Sequence, residues 1–277
     1  MKVIWFNGNL GNQVFYCKYA DFLRRKFPQE NVYFYSNSKC PKISVEQYFH
    51  LSLPQRTNSI ITIIVFEILG KLFRRIPLNF VPSWYCTRKW LNHEASYFEH
   101  YLQDKSFFEN EDSSWLEVKQ PIMFTSQYLQ FENLICKTIS VAIHIRRGDY
   151  ITPGSDYEDL SSTDYYEQAI IKAKEIYPDA HFFFFSDDLE FVKNRFQGEN
   201  YHYVDCNRGA DSYLDIQLMS HAKVCIIANS TFSYWGAYMN HEKKVVMYPS
   251  LWFRNESGRK MPDIMLDSWI CIQTKRI

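Results

Sequence analysis

Hydrophobic residues along this chain form short apolar runs that alternate with stretches of helical spacing. In the first half, Lys2–Phe6 and Asn31–Tyr35 predict strands, and Gln13–Phe27 between them has apolar residues at helical intervals. Residues 36–120 predict helices and long loops without a clear order, and Ile122–Thr125 predicts one more short strand. The chain therefore begins as a strand–helix–strand unit.

The second half repeats this alternation more regularly. The predicted strands are Ser140–Ile145, His181–Ser186, Tyr201–Val204, Lys223–Ile227, Lys244–Tyr248 and Trp269–Gln273, and the predicted helices are Thr163–Tyr177, Leu189–Phe196, Asp211–Ser220 and Phe232–Met239. Such alternation predicts α/β architecture with a parallel sheet and helices on both faces. We expect a Rossmann-like lobe from about residue 138 onward, joined to the first half through Gln130–Thr138.

Length and composition narrow the class of protein. A chain of 277 residues suits two lobes, which we expect to span 1–137 and 138–277. The net charge of +0 gives no electrostatic reason to expect nucleic acid as a partner. Seven cysteines without a Cys-x-x-Cys pair indicate reduced thiols in a cytoplasmic protein rather than a zinc site.

Membrane association depends on one segment, Ile60–Phe73, the most apolar stretch of the chain. Glu67 interrupts it, and it falls short of the roughly 20 apolar residues that a bilayer span needs. No signal peptide is predicted at the start of the chain. Two interpretations stay open: a basic-ended helix that touches the inner face of the cytoplasmic membrane, and a helix packed in the N-terminal lobe.

Four loops are the candidate ligand sites, because ligands in open parallel sheets bind at the carboxyl ends of strands. These loops are Asn7–Gln13, Arg146–Tyr150, Ser186–Asp188 and Ala228–Ser233. The first contains two glycines and four Asn or Gln amides, which suit either close approach to a ligand or a capped turn. It lacks the full glycine pattern of a dinucleotide or phosphate loop.

Two of the other loops predict an anion site. Arg146 and Arg147 follow a buried strand, and a guanidinium group matches phosphate oxygens with two hydrogen bonds. Ser230 and Thr231 open a helix whose N-terminus favours an anion, although either residue is also a common N-cap.

The acidic pair Asp187 and Asp188 offers a different chemistry. A carboxylate there matches the N1 and 2-amino hydrogens of guanine, and the alternative is that one of the two caps the following helix. The chain contains no Asp-x-Asp triplet, so the sequence does not favour a metal site.

Four segments together resemble the bacterial inverting α-1,2-fucosyltransferases, which use GDP-fucose. They are Gly8–Phe15 (GNLGNQVF), His144–Tyr150 (HIRRGDY), Leu218–Ser220 with Ile226–Ala237 (IIANSTFSYWGA), and Tyr248–Phe253 (YPSLWF). The arginine motif also occurs in related α-1,6- and protein O-fucosyltransferases, whereas the combination points to α-1,2. Tyr234 stands where Trp is frequent, and residues 36–120 carry no motif, so the acceptor is undetermined.

The resemblance implies a GT-B-type fold, with two Rossmann-like lobes facing a cleft and no required metal or other cofactor. Arg146 and Arg147 would hold the diphosphate, with Asp149 and Asn12 completing the catalytic set. The remaining donor-binding residues would be Gly11, His144, Asp187, Asp188, Asn229, Ser230, Thr231 and Phe232. The general base is left open among Asp149, Glu94, Glu99 and a phosphate oxygen of the donor.

The implied reaction moves L-fucose from GDP-fucose to the 2-hydroxyl of a galactose-type unit, in an oligosaccharide or a lipid-linked glycan, with inversion at C1. Surface polysaccharide or O-antigen biosynthesis is the expected context. Two alternatives remain: a transferase of the same fold with another nucleotide sugar or linkage, and a non-catalytic GDP-sugar or glycan-binding module.

Overall fold

A computed structural model describes residues 1–36, 45–51, 53–56, 60–73, 80–81, 93–99, 101–108, 115–121, 123–239 and 245–277. The chain divides into two compact units. The first contains Met1–Trp115 and Lys260–Leu266, and the second contains Leu116–Arg259 and Asp267–Ile277.

The described strands of the first unit form a parallel sheet in the order β3-β2-β1-β5-β4. They are β1 (Lys2–Trp5), β2 (Val32–Tyr35), β3 (Gln55–Arg56), β4 (Phe80–Val81) and β5 (Tyr97–Phe98), and the helices are α1 (Leu10–Lys26) and α2 (Ile60–Phe73). Aromatic side chains fill much of its core: Phe6 stacks on Phe34 with ring centroids 4.6 Å apart, and Tyr19 lies 4.7 Å from Phe107.

The second unit is a doubly wound sheet. Its strands are β6 (Ser140–Ile145), β7 (His181–Ser186), β8 (Tyr201–Tyr203), β9 (Val224–Ile226), β10 (Val245–Pro249) and β11 (Ile270–Ile272), and its helices are α3 (Ser126–Lys137), α4 (Tyr165–Ile176), α5 (Leu189–Arg195), α6 (Leu214–His221) and α7 (Thr231–Tyr238). All described pairs are parallel, in the order β11-β10-β9-β6-β7-β8. The winding direction reverses between β6 and β9, where such sheets bind ligands.

The strands at this reversal are the most deeply buried. Every residue of β6 is buried, and so are all four phenylalanines of β7. This burial explains why both strands read as nearly continuous apolar runs in the sequence. The predicted α/β class with two Rossmann-like units is confirmed by the two parallel sheets.

Three predicted features differ from the structure. The predicted strand Ile122–Thr125 is wrong over its described part, because 123–125 form a bend that leads into α3, whose first turn is capped by Thr125. Ile122 itself lies outside the described residues. The predicted join Gln130–Thr138 lies mostly inside α3, and α1 begins at Leu10 rather than Gln13.

The unit boundaries also differ from the predicted division at 137 and 138. Helix α3 packs against α6 and therefore belongs to the second unit. Residues 260–266 return to the first unit, where the backbone N–H of Lys105 donates to the carbonyl of Asp263 at 2.8 Å. A contact of this kind between distant segments leaves no local signal in the sequence.

One tyrosine hydroxyl joins three elements of the second unit. Tyr165, at the start of α4, is fully buried, and its hydroxyl lies 2.6 Å from the carbonyl oxygen of Ile227 and 3.1 Å from that of Met247. These carbonyls belong to the end of β9 and to β10, so the hydroxyl fixes α4 beside the sheet edge that carries the candidate site.

We predict that Tyr165→Phe lowers the free energy of unfolding by about 1–2 kcal/mol, because it removes a buried hydroxyl that donates to the carbonyl oxygen of Ile227. Chemical denaturation followed by circular dichroism measures the change. Tyr177→Phe, at the other end of the same helix and only partly buried, is the matched control and should change stability far less. Equal stability of the two variants would contradict the role of the Tyr165 hydroxyl.

Candidate active site

The candidate site lies at the carboxyl ends of three neighbouring strands, β9, β6 and β7. Residues Arg146–Tyr150 follow β6, Asp187 and Asp188 follow β7, and Ile227–Ser230 connect β9 to α7. The last register pair of β6 and β7 joins Ile145 to Ser186, which sets Arg146 beside Asp187. The tyrosine hydroxyl of Tyr150 donates to the carbonyl of Asn229 at 3.0 Å, so the loops after β6 and β9 are also in contact.

Arg146 is held between two carboxylates. Its Nε and Nη2 lie 3.1 and 2.7 Å from Oδ1 of Asp149, and its Nη1 lies 2.8 Å from Oδ2 of Asp187. Burial on its own lowers the pKa of Arg146, but the neighbouring charges of Asp187 and Asp149 outweigh it and raise that pKa. The guanidinium group is therefore a permanent cation.

Arg147 is held by Asp187 and Asp188, so Asp187 is shared between the two arginines. Its backbone N–H donates to Oδ1 of Asp187 at 2.9 Å, and its Nε lies 3.0 Å from Oδ2 of Asp188. Its Nη1 donates to the hydroxyl of Ser161 at 2.9 Å, and its guanidinium carbon lies 3.5 Å from the centre of the Phe191 ring. The stacking and the two side-chain hydrogen bonds give this side chain one defined position.

Both arginines retain hydrogen-bond donors for a ligand. A guanidinium group has five N–H bonds. Within the described residues, Arg146 uses three of them and Arg147 uses two, which leaves two and three respectively. The cluster of two arginines with Asp149, Asp187 and Asp188 has a formal charge of 2 − 3 = −1. An incoming anion therefore has to compete with at least one carboxylate.

The three carboxylates differ in how firmly they are held. Asp187 accepts from both arginines, and Asp188 accepts from Arg147 while its other oxygen accepts the backbone N–H of Phe191 at 3.1 Å. The alternative that Asp188 caps the following helix is thus confirmed. Asp149 accepts only from Arg146 among the described side chains, and 58% of its side chain is exposed. Of the three carboxylates, Asp149 is therefore the one that an incoming anion displaces from its arginine most easily.

Gly148 is needed for this arrangement. A Cβ atom at that position would lie 2.6 Å from Oδ2 of Asp187, closer than atoms in contact approach one another. Any larger residue would push away the carboxylate that binds Arg146.

The start of α7 places its polar residues in different roles. Ser230 caps the helix by accepting the backbone N–H of Phe232 at 3.3 Å, as one alternative predicted. Thr231 and Phe232 are partly exposed in the first turn. Asn229 is 1% exposed, and its Nδ2 donates to the carbonyls of Glu158 and Trp252 at 2.9 and 2.7 Å. The buried Asn229 side chain thus connects the loops that contain Glu158 and Trp252. At the start of α7, the residues accessible to an anion are Thr231 and Phe232.

His144 is the buried histidine of the arginine motif. It lies 5.5 Å from the ring of Phe232, and its Nδ1 is buried without a hydrogen-bond partner in the described part of the chain. Burial, together with the nearby charge of Arg146, lowers the pKa of His144 to about 3. The imidazole is therefore neutral at physiological pH.

Asn12 and Gly11 belong to the first unit, at the start of α1. Gly11 is buried, whereas Asn12 is partly exposed and its Oδ1 accepts Nε2 of Gln103 at 2.8 Å. Gly8, with φ of 82°, leaves room for the Asn12 side chain, since a Cβ there would lie 2.8 Å from Nδ2. Leu102, the residue before Gln103, has φ of 56°, which is unfavourable for a branched side chain. The turn after β5 is therefore strained in the conformation that brings Gln103 to Asn12.

A metal site is not evident in the described ranges, where no group of three His, Cys, Asp or Glu side chains is placed to hold an ion. The expectation of a metal-independent reaction stays a prediction. The described helices also include none that is long and apolar enough to cross a membrane.

Comparison with known proteins assigns this site to a family. The model of glycosyl transferase family 11 matches residues 65–273, which include the arginine motif, the acidic pair and the start of α7. The chain belongs to glycosyl transferase family 11. It is therefore a glycosyltransferase, and the predicted family is confirmed.

Two curated relatives of this family 11 glycosyltransferase come from Escherichia coli. The O-antigen biosynthesis glycosyltransferase WbnK is 38% identical over 145 residues, which are 50% of this chain and 47% of that protein. An alpha-1,2-colitosyltransferase is 27% identical over an alignment of 292 positions, covering 96% of this chain and 97% of that protein.

Solved structures of other glycosyltransferases are more distant. The ADP-heptose LPS heptosyltransferase II of E. coli has a TM-score of 0.47 and 10% identity, over 98% of this chain and 90% of that chain. The E. coli heptosyltransferase WaaC with ADP has a TM-score of 0.44 and 9% identity.

Several residues of the site are missed by sequence reasoning. Ser161, Phe191 and Gln103 contact the arginines or Asn12 but lie 14 or more positions away along the chain. None of them belongs to a recognisable motif, and only the packing of the loops brings them to the site.

We predict that the His144 side chain stays neutral when the pH falls to about 5. An NMR titration measures its protonation state directly through the chemical shifts of the ring nitrogens. The pKa in the folded protein is below the value of about 6.5 in the unfolded chain. The unfolded state therefore binds more protons between these values, and stability declines as the pH falls from about 6.5 toward 3.

The decline due to His144 has a slope of up to about 1.4 kcal/mol per pH unit. His144→Gln should remove that part of the slope, and His50→Gln, at an exposed position, should leave it unchanged. A His144 ring that titrates near 6.5 in the folded protein would contradict the prediction.

Proposed function

We propose that this family 11 enzyme transfers L-fucose from GDP-fucose to the 2-hydroxyl of a galactose-type acceptor, with inversion at C1 and formation of an α-1,2 linkage. The acceptor oxygen forms a bond to C1 as the bond from C1 to the diphosphate oxygen breaks. The acceptor proton leaves to a base, and GDP departs with the electron pair. The enzyme has to stabilise the negative charge that grows on the diphosphate.

The observation that carries the proposal is the pair of oriented guanidinium groups at the reversal of the second sheet. Arg146 and Arg147 have two and three N–H bonds left for the diphosphate oxygens. The first turn of α7, next along the sheet edge, adds unpaired backbone N–H groups and the positive end of a helix dipole. Cations and dipoles held in place before the reaction need no reorganisation when charge develops.

In this proposal, Asp149 is a temporary partner of Arg146 rather than the general base. Its carboxylate is exposed and already engaged by the guanidinium group of Arg146, so it is not free to accept the proton of the acceptor hydroxyl while that pair is intact. The diphosphate would take its place on Arg146, which changes the cluster from −1 to a net charge of 0 before the donor is counted. Asp187 and Asp188 would stay bound to the arginines and orient both guanidinium groups, rather than bind guanine.

Asn12 is proposed to act on the reacting sugar from the first unit. Because Gln103 donates to its Oδ1, the amide is oriented with Nδ2 as its remaining donor. A donor group suits the sugar-phosphate oxygen, which gains charge as the bond breaks. Gly11 would act through its backbone at the start of α1, and the base is proposed among Glu94, Glu99 and a phosphate oxygen.

The decisive experiment supplies GDP-fucose with a panel of β-galactosides and measures both GDP release and the linkage of the product. Transfer to the 2-position with an α-linkage supports the proposal, and it should persist in EDTA because no step needs a metal. GDP binding without transfer to any acceptor would instead indicate a binding module.

A second donor deserves a test because the relative aligned over almost the whole chain is named an alpha-1,2-colitosyltransferase. Colitose is fucose without the 3-hydroxyl, so both donors present the same GDP to the arginines. Competition between GDP-fucose and GDP-colitose, with GDP-mannose and a UDP-sugar as further arms, separates the donor classes. Preference for colitose would change the donor while keeping the proposed site. An O-antigen context is proposed from the name of the relative WbnK.

We predict that Arg147→Ala reduces the rate of transfer by about 10²-fold or more, because it removes donors that stabilise the leaving diphosphate. Steady-state GDP release measures the loss. Arg208→Ala removes the same charge from an exposed position of the second unit and should leave the rate within a factor of about two. If Arg147→Ala retains full activity with a native fold, the diphosphate assignment is wrong.

We predict that Asp149→Asn tightens the binding of GDP-fucose by about two- to fivefold, since an exposed ion pair that competes with the donor contributes about 0.2–1 kcal/mol. Calorimetry measures the dissociation constant, and Asp179→Asn, at an exposed acid of the same unit, is the control. A fall in kcat of about 10²-fold with unchanged donor affinity would identify Asp149 as the base instead.

A further inference from the structure

Helix α2 of the first unit presents to solvent a face that is apolar except for Lys71. Its six exposed large aliphatic residues are Ile60 (74% exposed), Ile61 (75%), Ile64 (50%), Val65 (44%), Ile68 (52%) and Leu72 (51%). At about 100° per residue these positions fall within an arc of about 140° on one side of the helix. Such a contiguous patch is unusual for a surface that meets only water.

Packing on the opposite side prevents the helix from turning this face inward. Phe66 is 5% exposed and packs with Val3, Tyr35 and Tyr97 of the sheet. Gly70 admits the ring of Tyr97, because a Cβ there would lie 2.8 Å from the ring carbon Cζ. Rotation of α2 would expose Phe66 and separate Gly70 from Tyr97, so the apolar arc is a stable part of the surface.

The charge of the surrounding sequence indicates what this face meets. Residues 50–92 contain six Lys or Arg (56, 71, 74, 75, 88 and 89) and one acid, Glu67, a net charge of 6 − 1 = +5 in a chain of net charge +0. Lys71 is exposed in the last turn of α2 itself. A sequence segment that combines this net positive charge with an apolar helix face matches an anionic lipid surface, where each Lys or Arg adds attraction.

Other occupants fit this pattern less well. A second copy of the chain has the same net charge of +5 in this segment, and like charges do not favour association. The same stretch contains Trp84, Tyr85 and Trp90, and these residue types are enriched at membrane interfaces. A helix of 14 residues is about 21 Å long, shorter than the roughly 30 Å hydrocarbon core, so α2 suits a position in the interface plane.

We infer that the exposed face of α2 docks the protein on the surface of an anionic lipid bilayer, with the aliphatic side chains at the boundary between headgroups and acyl chains. The docking does not depend on which donor or acceptor the enzyme uses.

Vesicle sedimentation with the full chain tests this inference. One set of vesicles contains phosphatidylethanolamine and phosphatidylglycerol, and the other contains phosphatidylcholine alone. We expect binding to the anionic vesicles that exceeds binding to the neutral ones by about tenfold or more, and that weakens in high salt.

The double variant Ile61→Gln/Ile64→Gln should weaken binding to anionic vesicles by about tenfold or more, because it removes apolar contact with the acyl chains. Both positions are exposed, so circular dichroism should report an unchanged fold. The control Ile171→Gln/Ile176→Gln changes two exposed isoleucines of α4 in the second unit and should bind like the unmodified protein.

Two results would overturn the inference. One is the absence of binding to either kind of vesicle, which would mean that the exposed face of α2 does not contact lipid. The other is a concentration-dependent dimer in analytical ultracentrifugation that Ile61→Gln/Ile64→Gln converts to a monomer, which would identify a second copy as the occupant. Neither result would alter GDP release, so failure here is separate from failure of the proposed reaction.

Discussion

The pairing of two adjacent arginines with carboxylates from the next strand is the interaction on which the candidate site depends. A guanidinium group cannot lose its charge, so two of them at the end of a buried strand need fixed acceptors. The parallel register of β6 and β7 supplies Asp187 and Asp188 at that level, and Gly148 leaves the space for Asp187 to reach Arg146. The cations are thereby oriented before any ligand arrives.

The same pairing limits what the site can do. With three carboxylates around two arginines, the cluster repels anions until one carboxylate gives way. Asp149 is the most exposed of the three and the least bonded, while Asp187 and Asp188 also accept the backbone N–H groups of Arg147 and Phe191. In the proposed reaction, the donor therefore has to displace one exposed ion pair, which is a weak and salt-dependent interaction.

The two units contribute unequal chemistry. The second unit holds the cations, the acids and the start of α7, whereas the first contributes Asn12, its partner Gln103 and the apolar face of α2. Leu102, with φ of 56°, has an unfavourable backbone conformation next to Gln103, the partner of Asn12, and Gly8 leaves the space for the Asn12 side chain. A strained turn retained beside a motif residue supports a functional reason for that motif.

The sequence by itself determined the α/β class, most strands and helices of the second half, and the residues Arg146, Arg147 and Asp149, because buried strands and their terminal loops leave local patterns. It left open whether Asp188 caps a helix, and it predicted a strand before α3 that does not form over its described part. Only the tertiary structure decided which carboxylate holds which arginine, that Asn229 is buried, that Gln103 orients Asn12, and that α2 faces solvent. These features depend on distances between segments far apart in the chain, which no local pattern encodes.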